Sequence, residues 1–183
     1  MKNPFYWFCL LLGGCTGIPG NVTAVTGFEI ERYLGTRYEI ARLDHSFERG
    51  LSNVTARYTP RPDGGIDVLN RGFDRKTGTW KEADGKAYFI ETPDVGRLKV
   101  SFFGPFYGGY NIIALDKERY SYAMVAGPDR SYLWLLAREQ SMDRYVRGKL
   151  IDMARQLGFA TDKLIFVDHD NPAMEAPPDL PAS

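Results

Sequence analysis

From Leu98 to Asp116 the chain reads LKVSFFGPFYGGYNIIALD, and its polarity switches residue by residue on both sides of a centre rich in glycine and aromatics. Leu98, Val100 and Phe102 share one face and Lys99 and Ser101 the other; beyond the centre, Tyr110, Ile112 and Ala114 alternate with Asn111, Ile113 and Leu115. A period of two is a strand signal, so the stretch is an antiparallel hairpin. The linking GPFYGG leads from strand to strand, whereas a phosphate loop leads into a helix N-terminus, so phosphate binding is excluded here. Phe102, Phe106, Tyr107 and Tyr110 crowd this turn, as expected if one side of the hairpin faces an apolar hollow.

The same pattern recurs along the chain. Tyr38 to Leu43, Asn53 to Thr59, Ile66 to Arg71, Gly85 to Glu91, Leu98 to Phe103, Tyr110 to Asp116, Tyr120 to Ala126 and Tyr132 to Arg138 are short and rich in β-formers. Turn chemistry separates them at Pro62 to Gly65, Asp74 to Gly78, Thr92 to Asp94 and Gly127 to Asp129. Eight short strands in even series predict an all-β fold, an antiparallel up-and-down barrel, because closure removes the free edges a sandwich would leave. Met142, Val146, Leu150, Met153, Ala154 and Leu157 then repeat at helical spacing, with Ser141 placed to cap and Gly158 to stop. This helix is expected to pack outside the barrel, followed by a short final strand at Leu164 to Val167. The proline-rich residues 170–183 carry too little apolar content to pack, and a disordered tail is expected. A chain of 183 residues suits one such domain, placed at 28–169.

At the N-terminus Lys2 precedes an apolar run, Phe5 to Leu12, that is too short to span a bilayer. Leu12-Gly13-Gly14-Cys15 follows, and small residues before a cysteine resemble the lipobox of bacterial lipoproteins. The resemblance implies a signal peptide over 1–14, acylation of Cys15 and, with Thr16 next, sorting to the outer membrane of a Gram-negative cell. Cys9 and Cys15 are the only cysteines, so processing leaves one thiol and no internal disulfide. Residues 15–27, rich in Gly, Thr, Val and Pro, read as a tether.

Lys plus Arg and Asp plus Glu are 23 each, so no overall field recruits nucleic acid. Asp44-His45-Ser46 holds triad residue types, but neighbours in a loop rarely form a relay and no nucleophile elbow surrounds Ser46. Asp168-His169-Asp170 lacks further metal partners. No catalysis, cofactor or metal is expected.

Gly35-Thr36-Arg37-Tyr38-Glu39, Tyr110 to Asp116, and Arg138 before the helix resemble the three sequence signatures of the lipocalins, and the order of eight strands, helix and short strand is theirs also. The resemblance implies a barrel closed at one end that binds a hydrophobic ligand, such as a fatty acid or lysophospholipid, for storage or transport in the envelope. A homodimer is among the assemblies it allows. A lipid-modifying enzyme on the same barrel, or an envelope scaffold with a filled interior, are the alternatives. If the first strand leaves the closed end, alternating directions put the mouth at Asp44 to Arg49, Gly72 to Gly78, Gly104 to Gly109 and Gly127 to Arg130. Taking the lipocalin orientation of the first strand, strand phase nominates Val54, Ala56, Val68, Asn70, Val100, Phe102, Tyr110, Ile112, Tyr132 and Trp134 as ligand-binding, with Ala114 on the same inner face. The same side chains could instead fill the barrel. Arg37 stands where the first signature has tryptophan. Either an inward Arg37-Glu39-Arg138 cluster forms at the barrel base, or Arg37 turns out to solvent.

Overall fold

The computed structural model of the protein describes residues 16–169. Cys15, the signal segment and the tail at 170–183 lie outside them. Eight strands follow in order: β1 (Gly35–Arg42), β2 (Leu51–Pro60), β3 (Ile66–Asp74), β4 (Thr79–Phe89), β5 (Arg97–Phe103), β6 (Phe106–Leu115), β7 (Tyr122–Ala126) and β8 (Leu133–Ala137). Each pairs antiparallel with the next. Pairing of β1 with both β2 and β8 closes the barrel. A short helix, α1 (Ile30–Tyr33), precedes β1, and α2 (Arg144–Gln156) follows β8. The last strand, β9 (Ile165–Phe166), adds to the end of β1 outside the barrel.

Alternation divides the apolar side chains into two layers. Outward residues Ile40, Ala41, Leu43, Met124, Leu133 and Leu135 pack beneath α2, whose Leu150 and Ala154 close over them. Inward residues Tyr58, Ile66, Val68, Leu98, Ile112 and Val125 meet Phe28 and Tyr33, which plug the base. Burying each large side chain contributes about 1.5–3 kcal/mol relative to exposure. Asp143, not Ser141, caps α2: its Oδ1 accepts from the backbone N–H groups of Tyr145 and Val146. Gly158, at φ +84°, ends it as expected. β4 starts six residues earlier than the sequence pattern suggested, because Thr79 to Asp84 pair in unbroken register with Leu69 to Asp74.

Residues 16–27 are not a free tether but a strap across the outer wall. Val22 is buried. Val25 exchanges backbone hydrogen bonds with Ile112 and Gly96, and Thr26 bridges Val95. Asn111 Nδ2 donates to the Gly17 carbonyl at 3.0 Å. A Cβ on Gly109 would lie 2.6 Å from that same carbonyl, so only glycine lets the strap approach here.

Register shifts interrupt four of the strand pairs, and two of them, in β1 and β6, decide where site residues face. In β1, Glu39 pairs with Leu136 and Ala41 with Leu135, which leaves Ile40 as an extra residue. In β6, Ile112 pairs with Val125 and Ala114 with Met124, with Ile113 extra.

Candidate functional site

The barrel encloses a cavity of about 630 Å³ that is open at the mouth. The interior is therefore hollow, at a volume usual for small-molecule sites. Aliphatic wall comes from Leu51, Val54, Val68, Leu98 and Val100, and Phe102, Phe103 and Phe106 of the β5–β6 hairpin stand around the opening. Phe103 and Phe106 are exposed there, as is Phe47 of the β1–β2 loop.

Three tyrosines make the floor. Tyr110 Oη lies 2.7 Å from the hydroxyls of both Tyr33 and Tyr58, so one hydroxyl ties α1, β2 and β6 together. Burial pushes all three phenols above their ordinary value. They are hydrogen-bonding neutral groups across the physiological range.

Beneath the floor the proposed Arg37-Glu39-Arg138 cluster does not form. Arg37 is fully buried, its guanidinium 3.8 Å from the centre of the Tyr33 ring, and it donates to the carbonyls of Tyr33 and Tyr120. Arg138 donates to the carbonyls of Thr36 and Arg32. Backbone acceptors hold both cations, with the Tyr33 ring against Arg37, and no carboxylate bridges them; Arg37 Nη2 has no hydrogen-bond partner among the described residues. Burial, and then the nearby Arg37 charge, lower the Arg138 guanidinium below its usual value.

Glu39 shares the inner face with Arg37 by alternation, and the bulge at Ile40 brings Arg42 onto the same inner side. Arg42 Nη1 meets Glu39 Oε1 at 2.6 Å, with both side chains buried. Arg42 Nη2 donates to the carbonyls of Glu48 and Leu51, fastening the mouth loop to the barrel. Glu48 also lines the cavity, and its Oε2 accepts from Trp134 Nε1 at 3.0 Å. Burial first and the Glu48 charge second push the Glu39 carboxyl up to about 8, against the pull of Arg42. Burial raises Glu48 as well. Two carboxyls facing one guanidinium in a poorly solvated wall hold a proton between them near neutrality.

His45 lies above this trio. Its ring stacks between Phe47, at 5.3 Å, and Tyr132, at 4.6 Å, with Trp134 at 4.9 Å. Burial, then the Arg42 charge, push its imidazole down to about 4, so it is neutral at pH 7. Its Nε2 has no hydrogen-bond partner among the described residues. Ser46 is exposed, and no relay joins the two.

Val54, Ala56, Val68, Asn70, Val100, Phe102, Tyr110, Tyr132 and Trp134 all lie on the cavity wall. Ile112 does not: it is fully buried in the inner core, outside the cavity lining. Ala114 packs against the outer cluster, because the bulge at Ile113 shifts it to the other face. Strand phase put Glu39 inward but assigned it to the barrel base rather than the cavity, and it could not reach Glu48, which lies in the loop between β1 and β2. His169 closes the outer edge by donating to the Glu39 carbonyl at 2.8 Å, and Asp168 pairs with Arg75. Cys15 lies outside the described residues.

The profile of the Lipocalin-like domain matches residues 28–169. The chain is 55% identical over 168 residues to the outer membrane lipoprotein Blc of Vibrio cholerae, covering 91% of this chain and 98% of that protein. It is 53% identical over 149 residues to the protein of the same name from Escherichia coli K12, covering 81% and 84%. Insecticyanin from the tobacco hornworm Manduca sexta shares the fold at a TM-score of 0.67 and 17% identity, over 86% of this chain and 88% of that one. A closed eight-stranded barrel, an outer C-terminal helix and this kinship together make the chain a member of the lipocalin family.

Proposed function

We propose that the protein is a lipid-anchored, non-catalytic carrier of the bacterial outer membrane that holds the acyl chain of a fatty acid or lysophospholipid in its barrel. The observation that carries this reading is the open cavity of about 630 Å³ with its largely aliphatic and aromatic wall. Apolar surface of that kind favours a hydrocarbon chain by about 0.8 kcal/mol per buried CH₂. The close relatives are named outer membrane lipoproteins, and Cys15 follows a lipobox-like sequence, which supports acylation there.

Titration of the delipidated protein with a fluorescent fatty acid tests the reading. Saturable uptake, reversed by lysophospholipid, is expected. Val100→Trp projects an indole into the cavity and is expected to abolish uptake with the melting temperature retained. Absence of uptake of any acyl probe would refute the carrier function. Native mass spectrometry of protein extracted from membranes then reports the bound lipid and the number of copies per assembly.

A further inference from the structure

The exposed apolar side chains gather at the mouth of the barrel. Phe103 and Phe106, at the tip of the β5–β6 hairpin, are 80% and 68% exposed, and Phe47, in the β1–β2 loop of the same rim, is 59% exposed. Apolar exposure clustered in this way marks an interaction surface. The hairpin is also uncharged, with no ionisable acid or base between Lys99 and Asp116. Pro105 at its turn has no N–H, and Phe103 pairs with Phe106 across it, so little of the tip's backbone needs water. Such a tip can enter the interfacial layer of a bilayer. The outer helix is less suited, because its one exposed ring, Tyr145, lies under the Lys149 ammonium at 4.5 Å and beside Arg144.

The strap brings the N-terminal anchor to the same end. Thr26 bridges Val95 in the β4–β5 turn near the base, Val25 lies beside Ile112, and Gly17 lies beside Gly109. A Cβ on Gly17 would stand 3.6 Å from the Pro128 carbonyl oxygen, in the β7–β8 loop at the mouth. Gly109 is three residues from Phe106 along β6, about 10 Å at the rise of a strand, whereas Leu115 at the base end is about 20 Å the other way. Cys15 precedes Gly17 by two residues, about 8 Å of chain at full stretch. Acyl chains on Cys15 therefore enter a bilayer within reach of the phenylalanine rim.

We propose that the mouth docks on the membrane leaflet that holds the Cys15 acyl chains, with Phe103 and Phe106 in its interfacial layer, so that the cavity opens onto lipid and the base points away. This rests on the lipid-anchor reading and adds an attitude to it.

Site-directed fluorescence of the acylated protein, reconstituted in vesicles of phosphatidylethanolamine and phosphatidylglycerol, tests the docking. With the signal segment removed and Cys15 acylated, one introduced cysteine is the one free thiol to label. The sites are Phe103→Cys at the mouth, Tyr145→Cys on α2 and Arg119→Cys in the β6–β7 loop at the base. A surface group seated about 5–10 Å into the interface meets lipid-borne bromine, so the label at Phe103→Cys is expected to be quenched about threefold more than the other two. Aqueous iodide should give the reverse order. Phe106→Asp, added to Phe103→Cys, puts a carboxylate at the tip and should markedly lower the bromine quenching, while Phe106→Leu should retain it. Equal quenching at all three sites, or stronger quenching at Tyr145→Cys, would overturn the docking and leave the anchor and the carrier standing. Release of the unlabelled protein from the vesicles by high salt would refute the anchor, and the docking with it.

Discussion

Arg42→Met keeps most of the side-chain volume and removes the buried cation paired with Glu39. In the wild type, Arg42 offsets the negative charge of the Glu39 and Glu48 pair and satisfies the carbonyls of Glu48 and Leu51. Without it, a carboxylate stays buried and unpaired, a loss of about 3–5 kcal/mol. Protonation offers an escape. At pH 5 both carboxyls take up protons, and the remaining loss is that of the two unsatisfied carbonyls, about 1–3 kcal/mol. The sign follows from linkage: a carboxyl whose folded-state value lies above its unfolded one gives stability that is complete below about 4.5 and lost as pH rises through the folded value. Removing Arg42 raises both carboxyls further, so the variant should lose stability more steeply between pH 5 and 8, by up to about 1.4 kcal/mol per pH unit for the additional proton. Urea unfolding followed by tryptophan fluorescence at pH 5, 6.5 and 8 measures both quantities. Glu48→Gln in the Arg42→Met background should recover part of the loss at pH 8. A variant within about 1 kcal/mol of wild type at pH 8, or a pH-independent loss, would refute the assignment of Arg42 as the counter-charge.

The wild-type melting temperature should fall between pH 6.5 and 8, as the Glu39 carboxyl loses its proton at about 8, and should fall again on acidification through about 4, where buried His45 must charge; the plateau between is set by their opposing slopes. Calorimetry across pH 3.5 to 9 checks this, and a maximum above pH 8 would contradict it. Tyr110→Phe removes the hydroxyl shared by Tyr33 and Tyr58 and should destabilise by about 1–3 kcal/mol, read from the urea midpoint. Cys15→Ser should release the protein from the membrane without unfolding it; sedimentation of the variant with outer membrane at high salt would rule out the lipid anchor.

Much of this architecture is written in simple alternation, because a strand with one face on α2 and the other on a cavity must change polarity every residue. Val54, Val68, Val100 and Trp134 fall on the cavity wall for that reason. Alternation fails at bulges, where one inserted residue reverses the phase without any mark in composition. Ile113 is such a residue, and Ala114 beyond it faces outward. Ile40 is another, and it explains why Glu39 and Arg42, three apart in a strand, meet on one side when strict alternation would part them. Arg37 was legible as an anomaly but not as a solution. Its acceptors, the Tyr33 and Tyr120 carbonyls and the Tyr33 ring, come from a short helix and a loop whose backbone directions no side-chain pattern encodes. Likewise the strap at 16–27 has no periodicity, since it is held by irregular backbone bonds to Ile112 and Gly96 and by the Asn111 side chain.

With the proposed lipid anchor at Cys15, that strap sets how far the barrel can travel. Were residues 16–27 a flexible leash, twelve residues would give a root-mean-square reach of about 20 Å and a fully extended one of about 40 Å. With Gly17 docked beside Gly109, a lipid carried on Cys15 would have slack of only one or two Cα–Cα steps of about 3.8 Å. The barrel would then rest against the bilayer in a narrow range of attitudes, like a buoy moored at the hull. Cargo exchange would be governed by which lipids and partners come to that spot, and lengthening the strap by insertion ahead of Thr16 would change the accessible volume without touching the cavity.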